Sequence, residues 1–267
     1  MGIWSVTKTV FLRFFKERFY DQSAQTAYYF LLSLFPFLIF AISILRFFPF
    51  QIDEVLKIVE PFAPKGSYGL INQTLNSVLY DRQTPLASFS LLAAFWLASM
   101  AVQSLGRSLN DAYQYVREGS FLSRMVRDLF LTASLMIILS LSLFIPIAEE
   151  FARLFMITNV EVPRSFNQLW LIIKWGMGSL FLFVFFLYFY KIVPSKKVPL
   201  LSVLPGALFT TIGWQGVSVG FSYYVSFGTY TKIYGQLGSI IVLMFWFYLT
   251  AAVILIGGLI NASIERG

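Results

Sequence analysis

The sequence contains six apolar segments, each about as long as a helix that crosses a lipid bilayer. They lie at about residues 24–48, 86–106, 127–148, 169–191, 200–224 and 236–261. A membrane-spanning helix needs roughly 20 apolar residues, because each residue adds only about 1.5 Å along the helix axis. Within the bilayer core every backbone polar group has to be satisfied by the protein, which favours helices. The sequence therefore predicts an all-α polytopic membrane protein with six transmembrane helices.

The composition agrees with this class. Only 12% of the 267 residues are charged, whereas a soluble domain carries about 25%. The length suits one membrane domain, residues 1–267, with a bundle over 24–261. The chain has no cysteine and no histidine, so disulfides and histidine-ligated metals are excluded, and we expect no cofactor. The net charge of +7 is spread over segments that flank the spans, so we expect no nucleic-acid partner.

The basic residues predict the orientation of the spans. With the N-terminus in the cytoplasm, the inner segments hold 12 of the 20 basic residues, and the outer segments hold 7 of the 13 acidic residues. Basic residues are enriched on the cytoplasmic side of membrane proteins. We therefore expect both termini in the cytoplasm.

Two segments outside the spans have amphipathic patterns. Residues 1–20 alternate cations with aromatic residues, which predicts an interfacial helix facing anionic headgroups. The rival interpretation, a cleaved signal peptide, is disfavoured because the next apolar run is too long and no A-x-A-like site follows it. The external loop 50–84 carries two apolar stripes separated by Pro and Gly, which predicts two short helices. Packing on the bundle is favoured there over a lid.

The first span begins with a polar stripe. Asp21, Gln25 and Tyr28 share one helix face, and Ser33 continues the stripe. Pro36, near the middle of the span, leaves one backbone carbonyl without its usual partner and favours a kink. The stripe is either a substrate-binding or gating element or part of a kinked packing helix, and the sequence leaves both open.

The second span ends with Gln103, Arg107 and Asn110 on nearly one helix face. These side chains direct a cation and two amides towards the cytoplasm. We interpret them as a candidate site for an anionic headgroup, because ionisable groups near a membrane often have a function. A merely solvated helix end is the alternative.

The fifth span carries Gly206, Gly213 and Gly220 at seven-residue intervals. Such spacing predicts a narrow face for close helix packing, which we favour over a substrate path. Tyr234 and Gly235 form part of the turn that leads into the last span, where a structural or gating role is expected.

No catalytic constellation is present in the sequence. There is no Ser/His/Asp set, no HExxH and no Walker A sequence. We therefore expect the protein not to be an enzyme.

Several short motifs, in order and at specific spacing, resemble those of the BrkB/YihY family of bacterial inner-membrane proteins, once labelled ribonuclease BN. They include Ala27-Tyr28-Tyr29, Leu32-Ser33-Leu34-Phe35-Pro36, Val193-Pro194, Pro205-Gly206-Ala207-Leu208, Tyr234-Gly235-Gln236-Leu237-Gly238 and Asn261. The resemblance covers about residues 10–262. It implies a six-span inner-membrane transporter, with a virulence or envelope association in some members and a link to lipid movement in others.

We consider three functions for a protein with these sequence features. A transporter or flippase for a lipid-like or amphiphilic substrate would expose the polar stripe of the first span to a cavity, with membrane lipids as partners. A non-transporting scaffold of the cell envelope would use the stripe for interhelical hydrogen bonds. A membrane hydrolase would need a nucleophile and a base, and the sequence nominates none. The substrate and the oligomeric state stay open.

The predicted topology can be tested by labelling single cysteines introduced at Ser67 and Lys196. The cysteine at position 67 should react with an impermeant reagent from outside, and the cysteine at position 196 should react only after the membrane is opened. The reverse pattern would overturn the predicted orientation.

Overall fold

The structure is a computed structural model, which describes residues 3–45, 84–116, 120–142, 153, 155–156, 166–227 and 236–265. The described residues form seven long helices and no strand, which confirms the predicted all-α class. The helices are α1 (Ile3–Lys16), α2 (Phe19–Leu45), α3 (Thr84–Tyr113), α4 (Phe121–Ser142), α5 (Phe166–Ile192), α6 (Leu200–Phe227) and α7 (Gln236–Glu265). The predicted loop helices within 50–83 lie outside the described residues.

Three of the predicted spans are confirmed by length and apolar composition. Among the described residues, the helical segments Ile173–Ile192, Leu200–Val225 and Ile240–Glu265 are long and apolar enough to cross a membrane. They correspond to the last three predicted spans. The helices α2, α3 and α4 are 27, 30 and 22 residues long and overlap the first three predicted spans, which stay a prediction.

The chain divides into two compact units. The first unit contains Met1–Tyr29 and Ser99–Gly267, and the second contains Phe30–Ala98. In the first unit α6 packs against both α5 and α7, and α1 also packs against α7. In the second unit, the described part of α3 exposes Phe89, Leu92 and Trp96, which share one helix face.

A sharp turn separates α1 from α2. Arg18 adopts a φ of 56°, which interrupts the helix between Lys16 and Phe19. Arg13 pairs with Glu17 at 2.8 Å and also donates to the Ala112 carbonyl oxygen of α3 at 2.9 Å. A cation is favourable at this end of α3, since the last carbonyls of a helix lack intrahelical partners. The contact therefore attaches α1 to the end of α3.

Two glycines allow α6 and α7 to approach closely. A side chain at Gly206 would overlap the Gly257 carbonyl and the Asn261 side chain. Conversely, a side chain at Gly257 would overlap the hydroxyl groups of Thr210 and Tyr190. Small residues at helix contacts are the usual route to tight packing in membranes. The predicted packing role of Gly206 therefore agrees with its surroundings.

Hydrogen bonds fix this contact from three helices. Tyr190 of α5 donates its hydroxyl to the Ile254 carbonyl of α7 at 2.6 Å, and its oxygen lies 2.6 Å from the Thr210 hydroxyl of α6. Since the Tyr190 proton is used on Ile254, the Thr210 hydroxyl is the donor between the two. The Gly206 amide donates to Asn261 Oδ1 at 2.6 Å. We call Tyr190, Thr210, Gly206 and Asn261, with the Ile254 carbonyl, the buried polar network.

Among the residues that the structure describes, the glycine face of α6 packs against α7 in its first half and is open in its second half. Gly206 lies in the buried polar network, and a Cβ at Gly213 would lie 3.0 Å from Val253 of α7. A Cβ at Gly216 or Gly220 would meet no atom within 4 Å in the described part of the chain. The close packing predicted from the seven-residue spacing therefore applies to Gly206 and Gly213, and it does not extend to Gly220 within these segments.

Replacing Gly213 and Gly216 with the same residue tests this division. Gly213→Leu should force α6 and α7 apart, and overpacking of this kind costs about 1–3 kcal/mol. We expect a melting temperature lowered by roughly 3–10 °C, or loss of the folded protein from detergent extracts. The matched variant Gly216→Leu should melt within about 2 °C of the unmodified protein, because the position is open. Equal losses in both variants would contradict the observed packing.

Candidate functional site

The beginning of α2 has one face that packs inside the first unit. Phe19, Ser23, Thr26 and Ala27 are almost completely buried. The Ser23 and Thr26 hydroxyls donate to carbonyl oxygens one turn earlier, at 2.8 and 2.9 Å. The Thr26 oxygen also lies 3.0 Å from the Ser104 hydroxyl of α3. Small hydroxyl-bearing residues thus join α2 to α3, while their own polar atoms are satisfied.

The opposite face of α2 carries the predicted polar stripe. Asp21, Gln25 and Tyr28 are all exposed. Gln25 donates to the Tyr29 hydroxyl at 3.4 Å within the same helix, and the Tyr28 and Tyr29 rings lie 5.8 Å apart. No side-chain hydrogen bond seen in the described segments joins Asp21, Gln25 or Tyr28 to another helix. These three side chains form what we call the α2 polar face.

The two deeper predicted residues of this span belong to the second unit. Ser33 is half-buried, and its hydroxyl donates to the Phe30 carbonyl at 3.0 Å within α2. The helix continues through Pro36 to Leu45. The side chain of Pro36, and with it the predicted kink, lies outside what the structure describes.

The three predicted residues at the end of α3 have different surroundings. Gln103 donates to the Ser99 hydroxyl at 3.0 Å, and Arg107 is exposed. Asn110 is only 2% exposed. Its amide nitrogen donates to the Gly106 carbonyl at 2.6 Å, and its oxygen accepts the Ser195 N–H at 2.8 Å. Asn110 therefore supports the connection between α5 and α6 and does not share the environment of Arg107.

The remaining predicted residues are partly described. Gly206 and Gly213 lie against α7, and Gly220 is open, as stated above. Tyr234 and Gly235 lie outside the described residues.

Several polar residues at the same end of the first unit were not predicted as site residues. Arg127 of α4 donates to the Val193 carbonyl and the Ser195 hydroxyl, at 3.2 and 3.3 Å. The Tyr115 hydroxyl donates to Glu265 at 2.7 Å. The sequence signal for Arg127 was an arginine at the start of an apolar span, but its partners are distant in sequence. Only long-range packing reveals these contacts.

Tyr113 lies beside this cluster and stacks on Tyr115, with ring centroids 5.2 Å apart. Burial, and then the nearby Glu265 carboxylate, raise the pKa of the Tyr113 phenol well above its usual value. Tyr113 is therefore a neutral hydrogen-bonding group at physiological pH and is not poised to act as a base.

The chemistry available in the described segments is hydrogen bonding and charge, within an apolar frame. No group of three or more His, Cys, Asp or Glu in these segments could hold a metal ion. The exposed carboxylate of Asp21, the amide of Gln25 and the phenol of Tyr28 can bind a polar headgroup. They do not form a nucleophile and base pair.

Comparison with known proteins places the chain among membrane proteins. The family model described as virulence factor BrkB matches residues 10–267. The chain is 39% identical over 264 residues to "Putative ribonuclease-like protein YfkH" of Bacillus subtilis (strain 168), covering 98% of this chain and 96% of that protein. No solved structure matches the chain.

More distant relatives bear the name UPF0761 membrane protein. One, from Aliivibrio salmonicida (strain LFI1238), is 26% identical over 98% of this chain and 83% of its own length. Another, from Xanthomonas campestris pv. campestris (strain B100), is 24% identical over 95% of this chain. The chain spans only 59% of the length of the Xanthomonas relative. The match over nearly the whole chain confirms the resemblance drawn from its motifs, and the protein belongs to the BrkB family of membrane proteins.

Proposed function

We propose that this protein is an inner-membrane transporter or flippase for a lipid-like or amphiphilic substrate, with six spans and both termini in the cytoplasm. The observation that carries the proposal is the exposure of the α2 polar face. Asp21, Gln25 and Tyr28 are exposed, although the same helix packs closely through Thr26 and Ala27. The packing of α2 therefore leaves these polar groups available to a ligand.

The free-energy cost of an unpaired polar side chain in a membrane indicates that the exposed α2 polar face has a function. A polar side chain in an apolar environment is costly unless it is hydrogen-bonded, so packing helices pair their polar residues with each other. Thr26 and Ser104 follow that rule. In the α2 polar face Gln25 is bonded to Tyr29 of the same helix, and no bond from the face to another helix is seen in the described segments, which supports a role in binding a polar headgroup.

The position of Asp21 suits a headgroup near the membrane surface. Asp21 lies in the first turn of α2, where the positive end of the helix dipole favours a carboxylate. A full charge at the bilayer centre costs roughly 2.5–3.5 kcal/mol on insertion scales, so a charged headgroup is best bound near the margin. An amine-bearing headgroup could pair with Asp21 while its acyl chains stay in the bilayer.

The exposed apolar residues suit an acyl-chain environment. Phe89, Leu92 and Trp96 in the second unit are each more than 60% exposed, on one face of α3. Large exposed apolar faces mark contacts with lipid or with another protein. In a member of a membrane protein family, this face supports direct contact with lipid chains.

A membrane scaffold is the second candidate, and one observation favours it. Gly216 and Gly220 form an open small-residue face on α6 in the described part of the chain. Such faces bind partner helices in membranes. A scaffold would use this face for assembly, although the interhelical hydrogen bonds expected of a scaffold at the α2 polar face are not seen in the described segments.

Removing the charge of Asp21 tests the transport proposal. Asp21→Asn should reduce the translocation of a fluorescent lipid in proteoliposomes by about 10–100-fold, the range expected when one charge-assisted hydrogen bond is lost. Its melting temperature should stay within about 2 °C of the unmodified protein, because the residue is exposed. Asp111→Asn, an exposed aspartate at the end of α3, is the matched control and should keep its activity. Full activity in Asp21→Asn, or a loss that only follows stability, would reject the site.

Pro36→Ala tests whether the proline in α2 matters for movement. Alanine restores the backbone N–H and gives the Leu32 carbonyl its usual partner. We expect a lower translocation rate together with an unchanged or higher melting temperature. An unchanged rate would show that Pro36 has no part in gating.

A further inference from the structure

The connection between α5 and α6 presents two lysines at a membrane boundary. It comprises residues 193–199 and is called the α5–α6 loop here. Lys196 and Lys197 are both exposed, and Lys191, in the last turn of α5, is exposed as well. The flanking helices are two of the three described segments that are able to cross a membrane. The lysines therefore stand where two spans leave the bilayer.

The backbone of this loop is held in place by side chains of two other helices. The Ser195 N–H donates to Asn110 of α3 at 2.8 Å, and Arg127 of α4 donates to the Val193 carbonyl at 3.2 Å. Within the loop, Val193, Pro194 and Val198 are buried. A loop anchored by two other helices positions its lysines with little further loss of entropy on binding a ligand.

The side chain of Lys196 is also positioned. Its ammonium nitrogen lies 5.6 Å from the centroid of the Tyr115 ring, within the range of a cation–π contact. That ring stacks on Tyr113, and the Tyr115 hydroxyl is bonded to Glu265. Glu265 therefore holds the ring over which Lys196 lies, and the Lys196 side chain is exposed.

Apolar side chains follow the lysines directly. Leu200 and Leu201, the first residues of α6, are 50% and 78% exposed. The start of α6 also carries the positive end of the helix dipole, which favours a nearby anion. Two lysines, a helix N-terminus and two exposed leucines together match an anionic headgroup attached to an acyl chain.

We propose that the α5–α6 loop binds the phosphate group of an anionic phospholipid. Lys196 and Lys197 contact the phosphate oxygens, and Leu200 and Leu201 contact the acyl chains. Each ammonium group beside an anionic membrane surface contributes about a fivefold change in binding. The site lies outside the α2 polar face and does not depend on transport, so either proposal can fail without the other.

The test is a titration of the full-length protein in detergent with fluorescent phosphatidylglycerol. Lys196→Gln combined with Lys197→Gln should weaken binding by about 30-fold, given two contacts of that size. The control is Lys174→Gln, which removes an exposed lysine from the part of α5 distant from the loop. The control should bind within about threefold of the unmodified protein. Both variants should keep their melting temperatures, because all three lysines are exposed.

Competition experiments identify the source of the phosphate. Unlabelled phosphatidylglycerol should displace the probe, whereas phosphatidylcholine and inorganic phosphate at the same concentration should not. A loss in the Lys174 control as large as that in the loop variant would show binding by diffuse charge and would overturn the proposal. Displacement by inorganic phosphate as effective as that by phosphatidylglycerol would show an anion site that does not recognise lipid, and would also overturn it.

Discussion

The buried polar network that joins α5, α6 and α7 is the contact on which the first unit depends. Pro205 lacks an N–H, and the N–H of the next residue, Gly206, is bonded to Asn261 of α7. A side chain of a neighbouring helix thus satisfies a backbone donor beside the proline. The close approach permitted by Gly206 and Gly257 places Asn261 and Tyr190 within reach of these partners. The small residues and the hydrogen bonds are thus parts of one arrangement.

Other contacts of the first unit extend from this centre. Leu109 of α3 fills the space beside Gly258 of α7, and α1 packs against α7 as well. At the end of α7, Glu265 accepts a hydrogen bond from the Tyr115 hydroxyl. The Lys196 ammonium lies over the ring of that tyrosine. Helix α7 therefore contributes both Asn261 to the buried polar network and Glu265 to the contacts beneath Lys196.

The two proposed lipid contacts have different physical character. At the α2 polar face a carboxylate, an amide and a phenol are exposed on one side of a well-packed helix. Such a face suits a ligand that binds and dissociates readily. At the α5–α6 loop two cations are carried by an anchored backbone, which suits a lipid that stays bound. The family contains longer relatives, since the chain spans 59% of the Xanthomonas protein, and both contacts lie within the shared region.

Much of the helical framework could be predicted from the sequence, because hydrophobic length and composition are local properties of the chain. The all-α class was predicted in this way and is confirmed, and the last three predicted spans fall on helices long and apolar enough to cross a membrane. The motif order also identified the family. The candidate site was less predictable. Helical spacing groups Asp21, Gln25 and Tyr28 on one face, but it could not indicate that this face is exposed.

The sequence by itself determined which residues are helical, which are apolar and which share a helix face. Only the tertiary structure decided which faces meet a neighbour. Asn110 was grouped with Arg107 by spacing, yet packing buries it against Ser195, and α7 covers Gly206 and Gly213 but leaves Gly220 open. The physical reason is that periodicity follows from the backbone geometry of one helix. The partner of each face depends instead on contacts between residues that are far apart in the chain.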